Sequence, residues 1–349
     1  MNETQELKRT KKHLRFIPDL FTGRLTENDT KKYFAKVGWF AFSAFLITTV
    51  VQIILANVVY ALSSQLYHHH LFSNILSFIP MYCVAFPIAF LFLRPLPKIT
   101  PVKSKMTAGN WFGGLCICIA LMMAGNYVSN IFLTSVQGIL GTETQNPVES
   151  MIESAPIWST FLFAVVLAPI LEEIVFRGIV CKRLLALGEG YAIIIPSAIF
   201  ALFHGNFYQL FYAFTLGCFF SFIYVRTGKL KYTVLYHMAI NFIGSIVASF
   251  IMELTDLERL IEVLNEPSFE GLIACIVPLL ILFVYSGIQW AAAIVGVVLA
   301  IKNRIRFKPQ RGVLLLPEKK GGSCLFLNAG VAAAIALFSL TLVGSIFSF

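Results

Sequence analysis

The sequence has little charge. Asp, Glu, Lys and Arg make up 13% of its 349 residues, whereas soluble proteins carry about 25%. A soluble protein of this length needs more charged side chains to cover its surface, so that class is excluded. A disordered chain is excluded too, because disorder requires low hydrophobicity and high net charge, and here 58% of the residues are hydrophobic.

Cysteine is present, but not in the pattern of a disulfide-bonded protein. Disulfide-rich folds are small and secreted and have little apolar core, whereas each cysteine here lies in or beside an apolar run. We therefore interpret the cysteines as packing residues. They are Cys83, Cys116, Cys118, Cys181, Cys218, Cys275 and Cys324.

Long apolar runs dominate the chain. A transmembrane helix needs about 20 mostly apolar residues, and nine segments are apolar enough to be predicted as spans. The fifth is short and joins the sixth through Gly205 and Asn206, which predicts a tight outer hairpin or a re-entrant element. The sequence thus predicts an all-α, polytopic membrane bundle. The predicted spans are 37–66, 73–93, 111–138, 158–182, 191–206, 207–225, 232–252, 271–301 and 325–348.

The basic residues indicate how the chain is oriented. Of the 27 Lys and Arg residues, all except Arg259 lie in residues 1–36 or at alternate connections and span ends. Under the positive-inside rule this places the N-terminus in the cytoplasm and the C-terminus outside. Residues 1–36 lack the apolar stretch of a signal peptide. Orientation and contact with the lipid bilayer explain the net charge of +9, so we expect no nucleic-acid partner.

Ionisable residues inside a span are costly and indicate function. The fourth predicted span contains Glu172, Glu173 and Arg177. Glu173 precedes Arg177 by four residues, which is the favourable orientation for an ion pair on a helix. Glu172 is rotated by about 100° from Glu173 and has no such partner. The alternative is that both acids only stabilise the helix bundle.

Three further polar residues lie in the apolar segments that follow. His204 closes the fifth predicted span, while His237 and Asn241 are four residues apart in the seventh and share one helix face. A turn near residues 188–190 would place Glu172 and His204 level, at about 25 and 22 Å from that turn. His237 lies only about 14 Å from its own turn. To reach the depth of Glu172 and His204, its helix has to be tilted or its turn has to lie deeper in the bilayer.

These side chains are sufficient for hydrolysis of an amide bond by water. A carboxylate in an apolar pocket can act as a general base, and an imidazole can orient the water. A second imidazole and an amide can donate hydrogen bonds to the developing oxyanion. One Glu and two His also form a ligand set for catalytic zinc. The His-Glu-x-x-His motif is absent from the sequence, which disfavours zinc but does not exclude it.

The ordered motifs resemble the CAAX protease and bacteriocin-processing (CPBP, or Abi) family. This family comprises intramembrane endopeptidases related to the type II CAAX prenyl endopeptidase. The resemblance covers roughly residues 158–250, and each motif lies on an apolar segment. One motif alone is weak, but three in this order are specific. They are Glu172-Glu173-x-x-x-Arg177, Phe200-x-x-x-His204 and His237-x-x-x-Asn241.

The resemblance implies a role for each motif residue. Glu172 would be the base that activates water, and His204 would help to position that water. His237 and Asn241 would form the oxyanion site. The family pattern favours a metal-free glutamic mechanism without a cofactor. The supporting residues would be Glu173, Arg177 and Phe200.

The resemblance also implies an organisation and a function. We expect an intramembrane endopeptidase in the cell membrane of a prokaryote, acting on a membrane-associated or prenylated peptide or protein. A non-proteolytic scaffold or bacteriocin-immunity protein of the same fold is an alternative, as is a transporter that relays protons through buried Glu and His. The predicted parts are a basic cytoplasmic tail (1–36), spans one to three (37–157), the catalytic core with spans four to seven (158–252), and an outer acidic loop with spans eight and nine (253–349).

Overall fold

The described part of the chain is helical. A computed structural model describes residues 23–142, 146, 155–266, 268–303, 308–317 and 321–347. Eight helices in these ranges are long and apolar enough to cross a membrane, and Glu189–Phe203 is a shorter apolar helix. The predicted all-α, polytopic bundle of about nine spans is therefore confirmed. We number the helices α1 (Glu27–Leu62), α2 (Leu71–Leu93), α3 (Ala108–Leu140), α4 (Ile157–Leu184), α5 (Glu189–Phe203), α6 (Phe207–Thr227), α7 (Leu230–Thr255), α8 (Leu257–Asn265), α9 (Phe269–Lys302) and α10 (Ala329–Ile346).

Two helical stretches of nine or ten residues lie outside the predicted spans. Helix α1 begins at Glu27, so it takes in the last ten residues of the predicted basic tail. Thr26 caps it, because its hydroxyl accepts a hydrogen bond from the backbone N–H of Asp29 at 3.1 Å. The acidic connection after α7 contains α8, which Asp256 caps through the backbone N–H of Arg259. Most of the acidic connection between α3 and α4 lies outside the described residues.

Helices α5 and α6 form a tight hairpin, which is one of the two alternatives predicted for this pair. Gly205 makes the turn with a backbone φ of +68°, a conformation that favours glycine. Asn206 then caps α6, since its side-chain oxygen accepts from the backbone N–H of Gln209 at 3.0 Å. The sharp turn holds His204 at the point where the two helices meet.

Small residues let the helices approach closely, as is usual in membrane bundles. A Cβ atom on Gly38 of α1 would collide with the backbone of Gly330 in α10, and one on Gly125 of α3 would collide with the backbone of Tyr212 in α6. Helix α1 therefore packs closely against α10, and α3 packs closely against α6. The larger apolar core lies among α1, α2, α4, α5, α6 and α10, and a smaller one lies among α3, α6, α7 and α9.

Three of the spans are wound locally as π-helix, which is frequent at functional sites. In α4, one such segment precedes Pro169, whose ring nitrogen cannot donate a backbone hydrogen bond. Glu172 and Glu173 lie between the two π-helical segments of that span. The local change of winding redirects the side chains at these positions. The π-helical segments are Ile79–Ala85 in α2, Phe161–Leu167 and Ile174–Cys181 in α4, and Phe242–Val247 in α7.

Candidate active site

Glu173 and Arg177 form an ion pair inside the bundle. Arg177 Nη1 lies 2.7 Å from Glu173 Oε1, and both side chains are 0% exposed. Arg177 Nη2 also donates to the backbone carbonyl of Gly217 in α6 at 3.0 Å. Its guanidinium lies between two aromatic rings, 5.0 Å from the centroid of Phe200 and 5.4 Å from that of Phe220. The ion pair expected from the spacing is present, and it links α4 to α5 and α6.

His237 lies between the two adjacent carboxylates. Its Nδ1 is 3.1 Å from Glu173 Oε1, and its Nε2 is 3.5 Å from Glu172 Oε2. An ionised carboxylate only accepts hydrogen bonds, so the imidazole supplies the proton in the contact with Glu173. The ring is buried. One side chain from α7 thus contacts both acids of α4 at once.

Glu172 is the more exposed of the two acids. Its side chain is 17% exposed, whereas that of Glu173 is 0% exposed. The hydroxyl of Tyr82 in α2 donates a hydrogen bond to Glu172 Oε1 at 2.8 Å. Tyr82 therefore holds one oxygen of this carboxylate by a hydrogen bond, and His237 lies against the other. Sequence reasoning missed Tyr82, because a lone tyrosine in an apolar span has no distinguishing spacing and its partner lies 90 residues away.

His204 presents one ring nitrogen to the site. Its Nδ1 is 3.0 Å from the backbone carbonyl oxygen of Phe200. A carbonyl oxygen only accepts, so Nδ1 carries the hydrogen, and Nε2 of the neutral ring is left as an acceptor. The Phe200 ring meets both imidazoles edge-on, with centroid distances of 5.0 Å to His204 and 5.6 Å to His237. Phe200 thereby fixes the two histidines on either side of one ring.

Asn241 joins the site through the backbone of α4. Its amide nitrogen donates a hydrogen bond to the carbonyl oxygen of Ala164 at 2.8 Å. Ala164 belongs to the π-helical segment before Pro169, so this bond holds α7 against the irregular part of α4. The amide nitrogen carries a second hydrogen, which can serve a bound substrate. The role of Asn241 and His237 in an oxyanion site stays a prediction.

The donor atoms do not form a zinc ligand set in this arrangement. Within the described residues, no three His, Cys, Asp or Glu side chains form a group that could hold a metal ion. Both ring nitrogens of His237 face carboxylates, and His204 turns Nδ1 to a backbone carbonyl. We therefore assign no chemical step to a metal.

The segment that carries the site matches a known family. Residues 154–243 match the family described as "Type II CAAX prenyl endopeptidase Rce1-like". This range contains all seven motif residues predicted from the sequence. The resemblance to the CPBP family is confirmed. The CPBP-like segment runs from the start of α4 into α7, and the family match leaves the remaining helices outside it.

Two curated relatives have names that fit this family. The chain is 33% identical over 130 residues to "Membrane-embedded CAAX protease MroQ" of Staphylococcus aureus (strain USA300), which covers 35% of this chain and 52% of the relative. It is 25% identical over 164 residues to "Putative membrane peptidase YdiL" of Bacillus subtilis (strain 168), covering 44% and 64% respectively. The chain thus spans about half to two thirds of these relatives. No solved structure matches it.

These findings also locate the protein. Eight helices in the described part of the chain are apolar and long enough to span a membrane, and both relatives are bacterial proteins with membrane in their names. It is therefore a multi-pass integral membrane protein of a prokaryote, as predicted.

Proposed function

We propose that this protein is an intramembrane endopeptidase in which Glu172 activates water to hydrolyse a peptide bond. One observation carries the proposal, namely that two consecutive acids have different environments. Glu173 is fully buried and neutralised by Arg177. Glu172 is partly exposed, and Tyr82 and His237 contact its two oxygens. An acid that is oriented by neighbours and still accessible suits general-base catalysis.

The reaction proceeds without a covalent intermediate on the enzyme. Glu172 takes a proton from water while the water oxygen bonds to the carbonyl carbon of the substrate. His204 Nε2 accepts a hydrogen bond from the same water and fixes its direction. The oxyanion that forms accepts a hydrogen bond from the free N–H of Asn241, while His237 Nδ1–H stays with Glu173. The C–N bond then breaks, and Glu172 returns the proton to the leaving amine.

The proposed substrate is a membrane-associated or prenylated peptide or protein. The name of the CAAX protease relative and the family description support this class. Glu172 lies ten residues from Lys182, near the basic end of α4, which corresponds to about 15 Å along a helix. With the predicted orientation, the scissile bond would sit in the cytoplasmic half of the bilayer.

The test is a Glu172→Gln variant, which keeps the shape of the side chain and removes its basicity. Glu189→Gln is the control, because it makes the same substitution at a carboxylate outside the site, one that lies 2.8 Å from Arg226. Each variant replaces the wild-type protein in cells. The peptides in the membrane fraction are then compared with those of the wild type. We expect Glu172→Gln to lose cleavage by at least about a hundredfold at unchanged abundance, a loss of about 2.7 kcal/mol of transition-state stabilisation.

Other outcomes select other functions. Processing that continues in the Glu172→Gln variant contradicts the proposed base. Loss of wild-type activity on chelation, restored by added zinc, would replace the glutamic mechanism with a metal-dependent one. A cellular phenotype that survives Glu172→Gln at normal abundance would support the non-proteolytic scaffold instead.

A further inference from the structure

A lysine-lined cavity lies at the basic end of the bundle. It has a volume of about 510 Å³, and its lining includes Lys103, Lys182, Lys229 and Lys231. These four residues come from three separate parts of the sequence: the α2–α3 connection, the end of α4 and the start of α7. We call this cavity the lysine pocket. Its lysines all belong to connections that the positive-inside rule places in the cytoplasm.

The walls of the lysine pocket are held by backbone contacts. In the connection between α2 and α3, the backbone N–H of Ile99 donates to the carbonyl of Lys182 at 2.8 Å, and that of Ser104 donates to the carbonyl of Thr227 at 2.9 Å. Gly228 turns with a φ of +62°, and a Cβ atom there would lie 2.7 Å from a carbonyl oxygen of the same connection. The connection is therefore docked on the α6–α7 turn, and the cavity is a built feature.

The charges in the lysine pocket are not balanced by carboxylates. Across the described ranges, none of the four ammonium groups forms an ion pair. The nearby acid Glu189 is already engaged by Arg226 at 2.8 Å. Ammonium groups gathered around one cavity repel each other, and an anion in the cavity would relieve that repulsion.

Helix α7 adds backbone donors to the same cavity. Its N-cap residue is Lys229, which provides no side-chain cap, and its first turn lines the pocket. The first N–H groups of a helix lack partners within that helix, and the helix dipole makes this end favourable for an anion. Thr100 lines the cavity as well. Positive charge and unpaired donors thus converge from three directions.

We propose that the lysine pocket binds a phosphate group. A phosphate offers several acceptor oxygens to several ammonium and N–H donors at once. Two sources share this chemistry, namely the headgroup of an anionic phospholipid and free phosphate. Basic pockets between transmembrane helices on the cytoplasmic side are suited to lipid headgroups. The site is separate from the carboxylates, since Lys182 lies about 15 Å along α4 from Glu172.

The experiment compares two variants of the full-length protein with equal charge changes. The pocket variant is Lys182→Gln/Lys229→Gln/Lys231→Gln. The control variant is Lys32→Gln/Lys36→Gln/Lys302→Gln, which removes three charges from the same predicted side outside the pocket. Native mass spectrometry measures retained phosphatidylglycerol and phosphatidylcholine. Phosphorus NMR line broadening measures binding of inorganic phosphate in neutral detergent.

The two arms separate the possible sources. A fivefold or greater loss of phosphatidylglycerol in the pocket variant alone supports a lipid headgroup. A loss confined to the inorganic phosphate arm supports free phosphate. Equal binding by the pocket and control variants in both arms overturns the proposal. If the triple variant fails to fold, the exposed single substitution Lys231→Gln is compared with Lys32→Gln in the same arms, where equal binding again overturns it. Neither readout depends on peptidase activity.

Discussion

Replacing Arg177 with methionine tests whether the buried ion pair organises the helix bundle. The guanidinium is fully buried, contacts Glu173 at 2.7 Å and donates to the carbonyl of Gly217 at 3.0 Å. Arg177→Met replaces the guanidinium with an apolar side chain, which still fills the space between the two phenylalanine rings. It leaves the Glu173 carboxylate buried and without its cationic partner, while His237 still contacts it at 3.1 Å.

The expected cost follows from these contacts. Removing one partner of a buried ion pair destabilises a protein by about 3–5 kcal/mol, because the other charge is left uncompensated. Removing both charges costs less than the sum of the single changes. We therefore expect Glu173→Gln/Arg177→Met to be more stable than additivity predicts, by about 2–3 kcal/mol, near the upper end of coupling between contacting residues. The amide introduced by Glu173→Gln would still offer an oxygen to His237.

The assay is equilibrium unfolding in mixed detergent micelles with increasing SDS, applied to the wild type and all variants. Arg183→Met is the matched control, since Arg183 is also buried in α4 but donates to the carbonyls of Leu93 and Ile179. It lies about 15 Å along the helix from Glu173, so Arg183→Met and Glu173→Gln should add within about 0.5 kcal/mol. If the changes in unfolding free energy caused by Arg177→Met and Glu173→Gln add in the double variant, the ion pair does not stabilise the bundle.

Three further outcomes are expected. Tyr82→Phe should slow peptide hydrolysis about tenfold to a hundredfold at unchanged abundance, because it removes a hydrogen bond to a carboxylate worth about 1.5–3 kcal/mol. An unchanged rate of hydrolysis in liposomes would show that Tyr82 does not orient Glu172. A reporter fused to the C-terminus should register the outside of the cell, and a cytoplasmic signal would reverse the predicted topology. Gly38→Leu should lower stability in the SDS assay by about 1–3 kcal/mol through overpacking against Gly330, whereas wild-type stability would contradict that close contact.

Local sequence relations predicted the parts of the site that lie on one helix. The Glu173–Arg177 contact follows from the i, i+4 spacing on a helix, and it is present at 2.7 Å. The spans follow from apolar length, which is why their centres agree with the helices. Their ends do not agree as well, because a helix continues past the hydrocarbon core wherever capping and packing allow, as α1 does at Glu27.

Contacts between helices were less predictable. The sequence placed His237 about 14 Å above its turn, too low to meet Glu172. The depth of Glu172 was counted from the turn near residue 188, which lies beyond Lys182. Lys182 and Lys229 line the same cavity, so these two lysines mark a common depth for α4 and α7. Counted from these two lysines, Glu173 is nine residues away and His237 is eight. The side chains are therefore level, and the α6–α7 turn is the raised one.

The two consecutive acids contact one imidazole from different sides. Adjacent residues on a helix point about 100° apart, so Glu173 faces Arg177 in the interior while Glu172 faces Tyr82 and the accessible side. Arg177 Nη1 lies 2.7 Å from Glu173 Oε1, and the same oxygen accepts from Nδ1–H of His237 at 3.1 Å. That contact directs Nε2 toward Glu172 at 3.5 Å. The buried pair thus positions the histidine beside the proposed base, whose other oxygen accepts a hydrogen bond from the Tyr82 hydroxyl.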